Sequence, residues 1–332
     1  MKKFVFWVMI SMVVCGLFSS CKKEKRNAPA GQETKQETLV APPFDADSAF
    51  HFVKAQTDFG PRVPNTTAHD RCGEYLQKTL AKYADTLYVQ SFSAKNYKGT
   101  QLKGKNIIGV FNPDQTRRVI LASHWDSRHV ADHDPDPANH TTPIDGANDG
   151  ASGVGVLLEI ARQLAEKAPN IGVDIIFFDL EDHGTPENET SPQGDWWCLG
   201  SQHWAANPHI AGYSADFGIL LDMVGDQSAV FRYEYFSKAH ALSVLSKVWG
   251  TAYQLGYGTR FVQQNSNPIT DDHYYVNEIA HIPMIDIIHQ EDQTGTGFPH
   301  TWHTLEDNIN HIDKHTLAIV GKTLLSVIYN EK

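Results

Sequence analysis

The chain reads as a single α/β domain, a sheet buried on both faces by helices. Two observations carry that reading. Apolar segments of strand length alternate with segments of helical period. The strand segments are also unbroken apolar runs, as expected of strands covered on both sides. No internal repeat or second boundary interrupts the 332 residues, and a hydrophobic fraction of 41% is ample for one packed core. A formal charge of −11, with no basic cluster in the body of the chain, argues against a nucleic-acid partner.

The elements follow in order. Lys2 and Lys3 precede an apolar run over residues 4–18, then Ser19, Ser20, Cys21 and a charged stretch. The run falls short of the roughly 20 residues a spanning helix needs, and its pattern is that of a secretory signal. Cys21 after two serines resembles a bacterial lipobox, although Phe18 stands three places before it, where leucine is usual. The expectation is a signal peptide over 1–20, a lipid-anchor site and flexible tether over 21–43, and a catalytic domain over 44–332. The protein would then be exported and would face the periplasm or cell surface, touching the membrane only through Cys21. Cys72 and Cys198 remain, as one disulfide or two buried thiols, too few for a thiolate zinc site.

An amphipathic segment over 46–59 leads into the rigid turn Gly60-Pro61-Arg62-Val63-Pro64. A helix fits 67–83, with Ala68, Cys72, Leu76, Leu80 and Tyr83 on one face. Strands follow over 86–92, 105–111 and 117–123, then a helix over 151–167 and a strand over 173–180. A short helix near 201–206 precedes a strand over 217–224. A helix over 240–251, a strand over 284–288 and a closing helix over 313–329 complete the chain.

Polar residues recur at the carboxyl ends of these strands, where open α/β sheets bind ligands. They are His124-Trp125-Asp126, Asp179 to Asp182, Asp222, Asp271-Asp272-His273 and Trp302-His303. Asp149, in the small-residue loop Asp145 to Gly153 before a helix, reads by itself first as an N-cap. In the company of the other clusters it becomes a metal ligand candidate. Imidazole and carboxylate without thiolate suit zinc: Asp149, one acid of Glu181 and Asp182, and one histidine leave a coordination position open for substrate. The acid left over would stand beside the metal as a general base.

The series His124-Trp125-Asp126, Gly146-Ala147-Asn148-Asp149, Glu181-Asp182, Asp222 and His303 resembles the zinc aminopeptidases of the M28 type. More closely it resembles the glutaminyl-peptide cyclotransferases that share their fold, over residues 59–325. The resemblance implies an α/β/α sandwich with a mixed central sheet. It implies one zinc per chain on Asp149, Asp182 and His303, and Glu181 as proton shuttle. Asp222 and Asp271 fall on the supporting network and Trp302 on the pocket wall. The substrate implied is a peptide or protein with N-terminal glutamine, closed to pyroglutamate with loss of ammonia. The protein is expected to act as a monomer.

The rival reading is a two-zinc aminopeptidase, whose second site His124 and Asp222 would complete. A cyclase needs no activated water, because the substrate's own α-amine attacks. A compact ring product suits flat aromatic walls, and Trp302, Trp125 and Trp196-Trp197 offer them; the stretch 191–201 also resembles a cyclase loop. A lipid-anchored binding protein with a degenerate site is a third reading, disfavoured by the intact acid pair. Two positions depart from the animal pattern: Asp182 stands for a glutamate and Asp286 for a histidine. Six other histidines, His129, His133, His140, His183, His289 and His300, are expected on solvated loops, with His183 and His300 near site residues in sequence.

Overall fold

The structure, a computed structural model, describes residues 40–331. The expected signal peptide, Cys21 and the tether up to residue 39 lie outside the described residues. Among the described residues no helix is long and apolar enough to cross a membrane.

Helices α1 (Ala46–Thr57) and α2 (Thr67–Leu80) come first, each opened by a side-chain cap, Asp45 and Thr66. Strands β1 (Thr86–Lys95), β2 (Gln101–Phe111) and β3 (Arg118–His124) lead to α3 (Ala151–Glu166) and β4 (Gly172–Phe178). Then come α4 (Leu199–Ala206), β5 (Phe217–Asp222), β6 (Phe231–Tyr233), α5 (Tyr235–Gln254) and β7 (Phe261–Asn265). The short α6 (Asp272–Tyr275), β8 (Met284–Ile288) and α7 (Lys314–Asn330) close the chain.

Six strands form one mixed sheet in the order β1-β2-β4-β3-β5-β8. The pairs β1/β2 and β2/β4 are antiparallel, and β4/β3, β3/β5 and β5/β8 are parallel. The unbroken apolar runs have a direct cause: successive side chains enter two different cores. Ile107, Leu121, Ile175 and Ile219 pack on one face with Val53, Leu158, Val248 and Val320 from α1, α3, α5 and α7. Ile108, Ile120, Ile176 and Leu220 pack on the other with Trp204 of α4 and Val276. The α/β/α arrangement expected from the sequence is the one observed.

The parallel pair β6/β7 and α6 have no counterpart in the sequence reading. Two of these elements are three and four residues long, and β7 is mostly exposed, so none carries a periodic apolar signal. Helix α5 begins before residue 240, capped by Glu234, and is interrupted at Ala241. Cys72 and Cys198 are buried free thiols.

Two details position the loops at the sheet's carboxyl edge. Arg62, fully buried in the turn after α1, donates from Nε to the Trp125 carbonyl at 2.9 Å and from Nη2 to the Gly146 carbonyl at 2.8 Å. It thereby clasps the loop after β3 to the loop before α3. At Gly153 a Cβ would lie 2.3 Å from Ser123 Oγ and 2.6 Å from the Leu221 carbonyl oxygen, so only glycine lets α3 press against the ends of β3 and β5.

Candidate active site

All seven residues selected from the sequence line one cavity of about 970 Å³. Asp149 precedes α3, Glu181 and Asp182 follow β4, Asp222 ends β5, Asp271 caps α6, and Trp302 and His303 lie in the loop before α7. Glu181, Asp182 and Asp222 reach the same edge because the parallel strands β4 and β5, with β3 between them, end there side by side.

Asp149, Asp182 and His303 bring one donor atom each within 4.8 Å of one another. His303 Nε2 lies 3.3 Å from Asp182 Oδ1 and 3.8 Å from Asp149 Oδ2. All three are buried, and neither oxygen of Asp182 has a hydrogen-bond partner. Buried carboxylates without partners are costly. Burial, and then the charge of Asp149, push Asp182 up to about 6 and Asp222 up to about 7. The cluster is therefore short of positive charge, and its two carboxylates and one imidazole fit a divalent cation of zinc type.

A second set shares Asp149. His124 Nε2 lies 2.9 Å from Asp149 Oδ1 and 3.2 Å from Asp222 Oδ1. Burial opposes a charge on His124, yet the acids Asp126, Asp149 and Asp222 hold its pKa well above the usual imidazole value. Both oxygens of Asp126 accept backbone amides, Glu181 N at 3.0 Å and Asp182 N at 3.2 Å, which sets the turn that presents the acid pair.

Glu181 has its pKa raised well above the carboxylate range, first by burial and then by the charges of Asp271, Asp182 and Asp272, against the pull of His124. Its carboxylate, the Cys198 thiol and Asp271 form a further group within 4.8 Å. Asp271 is raised by burial as well. Behind it, burial and then the charges of Asp271, Asp222 and Glu234 drive Asp286 well above the usual range. A neutral carboxylic acid so placed can donate where a histidine otherwise would.

Four non-glycine residues around this rim have left-handed backbone: Leu180 (φ 59°), Cys198 (φ 53°), Met223 (φ 49°) and His303 (φ 54°). Each is itself a site residue or adjoins one, and each costs roughly 1 kcal/mol or more.

The aromatic walls are only partly those expected. Trp302 stacks on His303 with ring centroids 3.7 Å apart, and Trp197 lies parallel to the same ring at 6.2 Å. Trp125 is not a wall. It is fully buried, stacked on His69 at 4.3 Å, because the loop after β3 turns its side chain into the core beside Gly73. Trp196 does not line the cavity; its Nε1 donates to the Pro192 carbonyl. His183 and His289 are buried, contrary to the solvated positions expected; His183 stacks on His129 at 4.0 Å. His129, His133 and His140 are half-buried, and His300 is exposed.

Several contributors went unrecognised in the sequence. Asp307 accepts the amides of Asn148 at 2.7 Å and Asp149 at 3.1 Å, and burial with the charge of Asp149 pushes it up to about 8. Arg128, Asp132 and Cys198 also touch site residues. None lies at a strand end or in a recognisable spacing, so no pattern marked them.

The chain matches peptidase family M28 over residues 106–328. It is similar, at 52% identity and a TM-score of 0.86, to the solved structure of Bacteroides thetaiotaomicron glutaminyl cyclase, covering 88% of this chain and 100% of that one. The same identity and coverage, with a TM-score of 0.87, relate it to a structure described as a Zn-dependent exopeptidase from Parabacteroides distasonis. With the glutaminyl-peptide cyclotransferase of Gloydius blomhoffii it shares 26% identity over 66% of this chain. There it spans 63% of that relative's length, less than two thirds.

Proposed function

The chain belongs to peptidase family M28, and from that premise we propose that it cyclises the N-terminal glutamine of peptides or proteins to pyroglutamate, releasing ammonia. The observation carrying this reading is the position of Glu181. It is a buried carboxylate of raised pKa, in one cavity with the Asp149, Asp182 and His303 donors and the Trp197 and Trp302 rings.

Asp149, Asp182 and His303 would hold one zinc ion, which when bound supplies Lewis acidity to the γ-carboxamide oxygen. Glu181 takes the proton from the α-amine as its nitrogen forms a bond to the γ-carboxamide carbon. The same carboxyl then gives a proton to the departing amide nitrogen, so the C–N bond breaks and ammonia leaves. Asp271, with Asp182 and Asp272, crowds negative charge around Glu181 and raises its pKa, while Asp222 holds His124, whose charge acts in the opposite sense. Trp302 and Trp197 pack against the glutamine side chain and exclude water from it.

The His124, Asp149 and Asp222 set favours one second reading, a two-metal aminopeptidase. His124 Nδ1 lies 3.6 Å from Asp126 Oδ1 without a hydrogen bond, and its Nε2 faces Asp149 and Asp222, so the metal count and the product separate the two readings. The test is to incubate purified protein with Gln-initiated and Leu-initiated peptides while counting metal. Ammonia, a pyroglutamyl product and one zinc per chain are expected. Free leucine and two zinc ions would overturn the cyclase. The same proposal places a monomeric enzyme outside the cytoplasm, tethered by lipid on Cys21. Cys21→Ala would then move it from the membrane to the soluble fraction, and an unchanged membrane fraction would remove the tether.

A further inference from the structure

His303 presents its two ring nitrogens to different acids. Nε2 faces Asp182 and Asp149, whereas Nδ1 lies 3.2 Å from Asp132 Oδ1, in a bent approach. Asp132 is held in turn. Arg128 donates from Nε to Oδ1 at 3.2 Å and from Nη2 to Oδ2 at 2.7 Å, and the amide of Glu187 reaches Oδ2 at 3.2 Å. The remaining Nη1 of Arg128 donates to the carbonyls of Asp182 and Gly184, both at 3.1 Å. The guanidinium is buried, with its face 4.6 Å from the Trp197 ring. One ion pair thus touches the backbone of Asp182, the back of His303 and a wall of the cavity.

A neutral imidazole lends one nitrogen lone pair, and the partner of the other nitrogen decides which. A carboxylate only accepts, so Asp132 requires a hydrogen on Nδ1 and leaves the Nε2 lone pair toward Asp149 and Asp182. The forked Arg128–Asp132 contact fixes the carboxylate's angle, and so the plane of the ring. A buried ion pair of this kind adds little net stability, because desolvation offsets its attraction. Its effect should be read at the metal rather than in melting.

We propose that Arg128 and Asp132 are positioning residues for the metal site, Asp132 fixing the tautomer and orientation of His303 and Arg128 locking Asp132 to the Asp182 arm. This rests on reading Asp149, Asp182 and His303 as the metal-holding set.

The experiment uses the whole exported chain and zinc alone, in competition with a chromophoric chelator. Long-range ¹⁵N–¹H NMR of histidine-labelled, zinc-bound wild type reads the tautomer. Wild type should show His303 with its hydrogen on Nδ1. Asp132→Ala should weaken zinc binding by about 10–100-fold, and Asp132→Asn, whose Oδ1 still accepts, should recover most of that loss. Arg128→Lys keeps the charge but loses the fork, and should weaken zinc as well. A hydrogen on Nε2 in the wild type overturns the inference, a result that needs no variant to fold. So does zinc affinity unchanged within about twofold in Asp132→Ala of native circular dichroism. Those outcomes leave the cyclase reading standing, since wild type would still bind zinc and turn over glutaminyl peptides. Failure of wild type to bind zinc at all overturns both.

Discussion

Cys198 donates its thiol hydrogen to Oε1 of Glu181 across 3.1 Å, the one side-chain hydrogen bond on that carboxylate among the described residues. Burial, followed by the charges of Glu181, Asp272 and Asp271, holds the thiol well above its ordinary pKa, so it remains a donor. The backbone reinforces the contact, with Cys198 N on the Glu181 carbonyl at 2.9 Å.

Cys198→Ala is expected to lower turnover of a glutaminyl peptide by about 10–150-fold, the worth of one hydrogen bond to a charged group at roughly 1.5–3 kcal/mol. Cys198→Ser, which keeps a donor, should restore most of it. Equal activity in wild type and the alanine variant would show that the thiol is only filler.

Glu181→Gln is expected to keep zinc and lose turnover by about 10²–10⁴-fold, since the amide cannot accept and return a proton. His303→Ala is expected to lose the metal itself. Metal content by atomic absorption beside ammonia release separates the two, and full activity in both would refute the assignment.

Acid should weaken the fold through Glu234. Burial alone would raise its pKa, but His273 Nε2 at 3.0 Å and the amides of Phe236 and Ser237 hold it down to about 2. The folded pKa lies below the unfolded one near 4.5, so the unfolded chain binds more protons in between. The contribution, on the order of 3 kcal/mol, is present above about pH 4.5 and is lost as pH falls toward 2. Unfolding free energy measured across that window should slope in wild type and flatten in Glu234→Gln.

Gly153→Ala should destabilise by about 2 kcal/mol, because the new methyl meets the Leu221 carbonyl and Ser123 Oγ at less than contact distance. Chemical denaturation reads the loss. Activity should fall with it, since α3 carries the Asp149 loop.

The sheet was legible because its central strands are apolar without alternation, which only burial on both faces explains; β3, β4 and β5 lie within a residue or two of their expected bounds. Glu181, Asp182 and Asp222 were legible because they sit at or just past the ends of β4 and β5, where chain direction alone sends them to one rim. Asp149 and Asp271 stand before helices and were legible only in their company. Trp125 was misjudged because adjacency in sequence to His124 says nothing about which way a strand end turns its next side chain. Arg62, Arg128, Asp132 and Asp307 were invisible for a different reason. Their work is done across 83 residues for Arg62 and Asp145, or 159 for Asp307 and Asn148, and no local pattern encodes such a distance. The short β6 and β7 exist only because α5 and β8 give them something to lie on.

The four left-handed residues around the rim have a consequence for heating. A backbone wound against its preference at Leu180, Cys198, Met223 and His303 resembles a cocked spring, held by the sheet beneath it. Warming slackens the spring before it melts the sheet. Catalysis should therefore fade, and return on cooling, at temperatures where the bulk of the molecule is still intact.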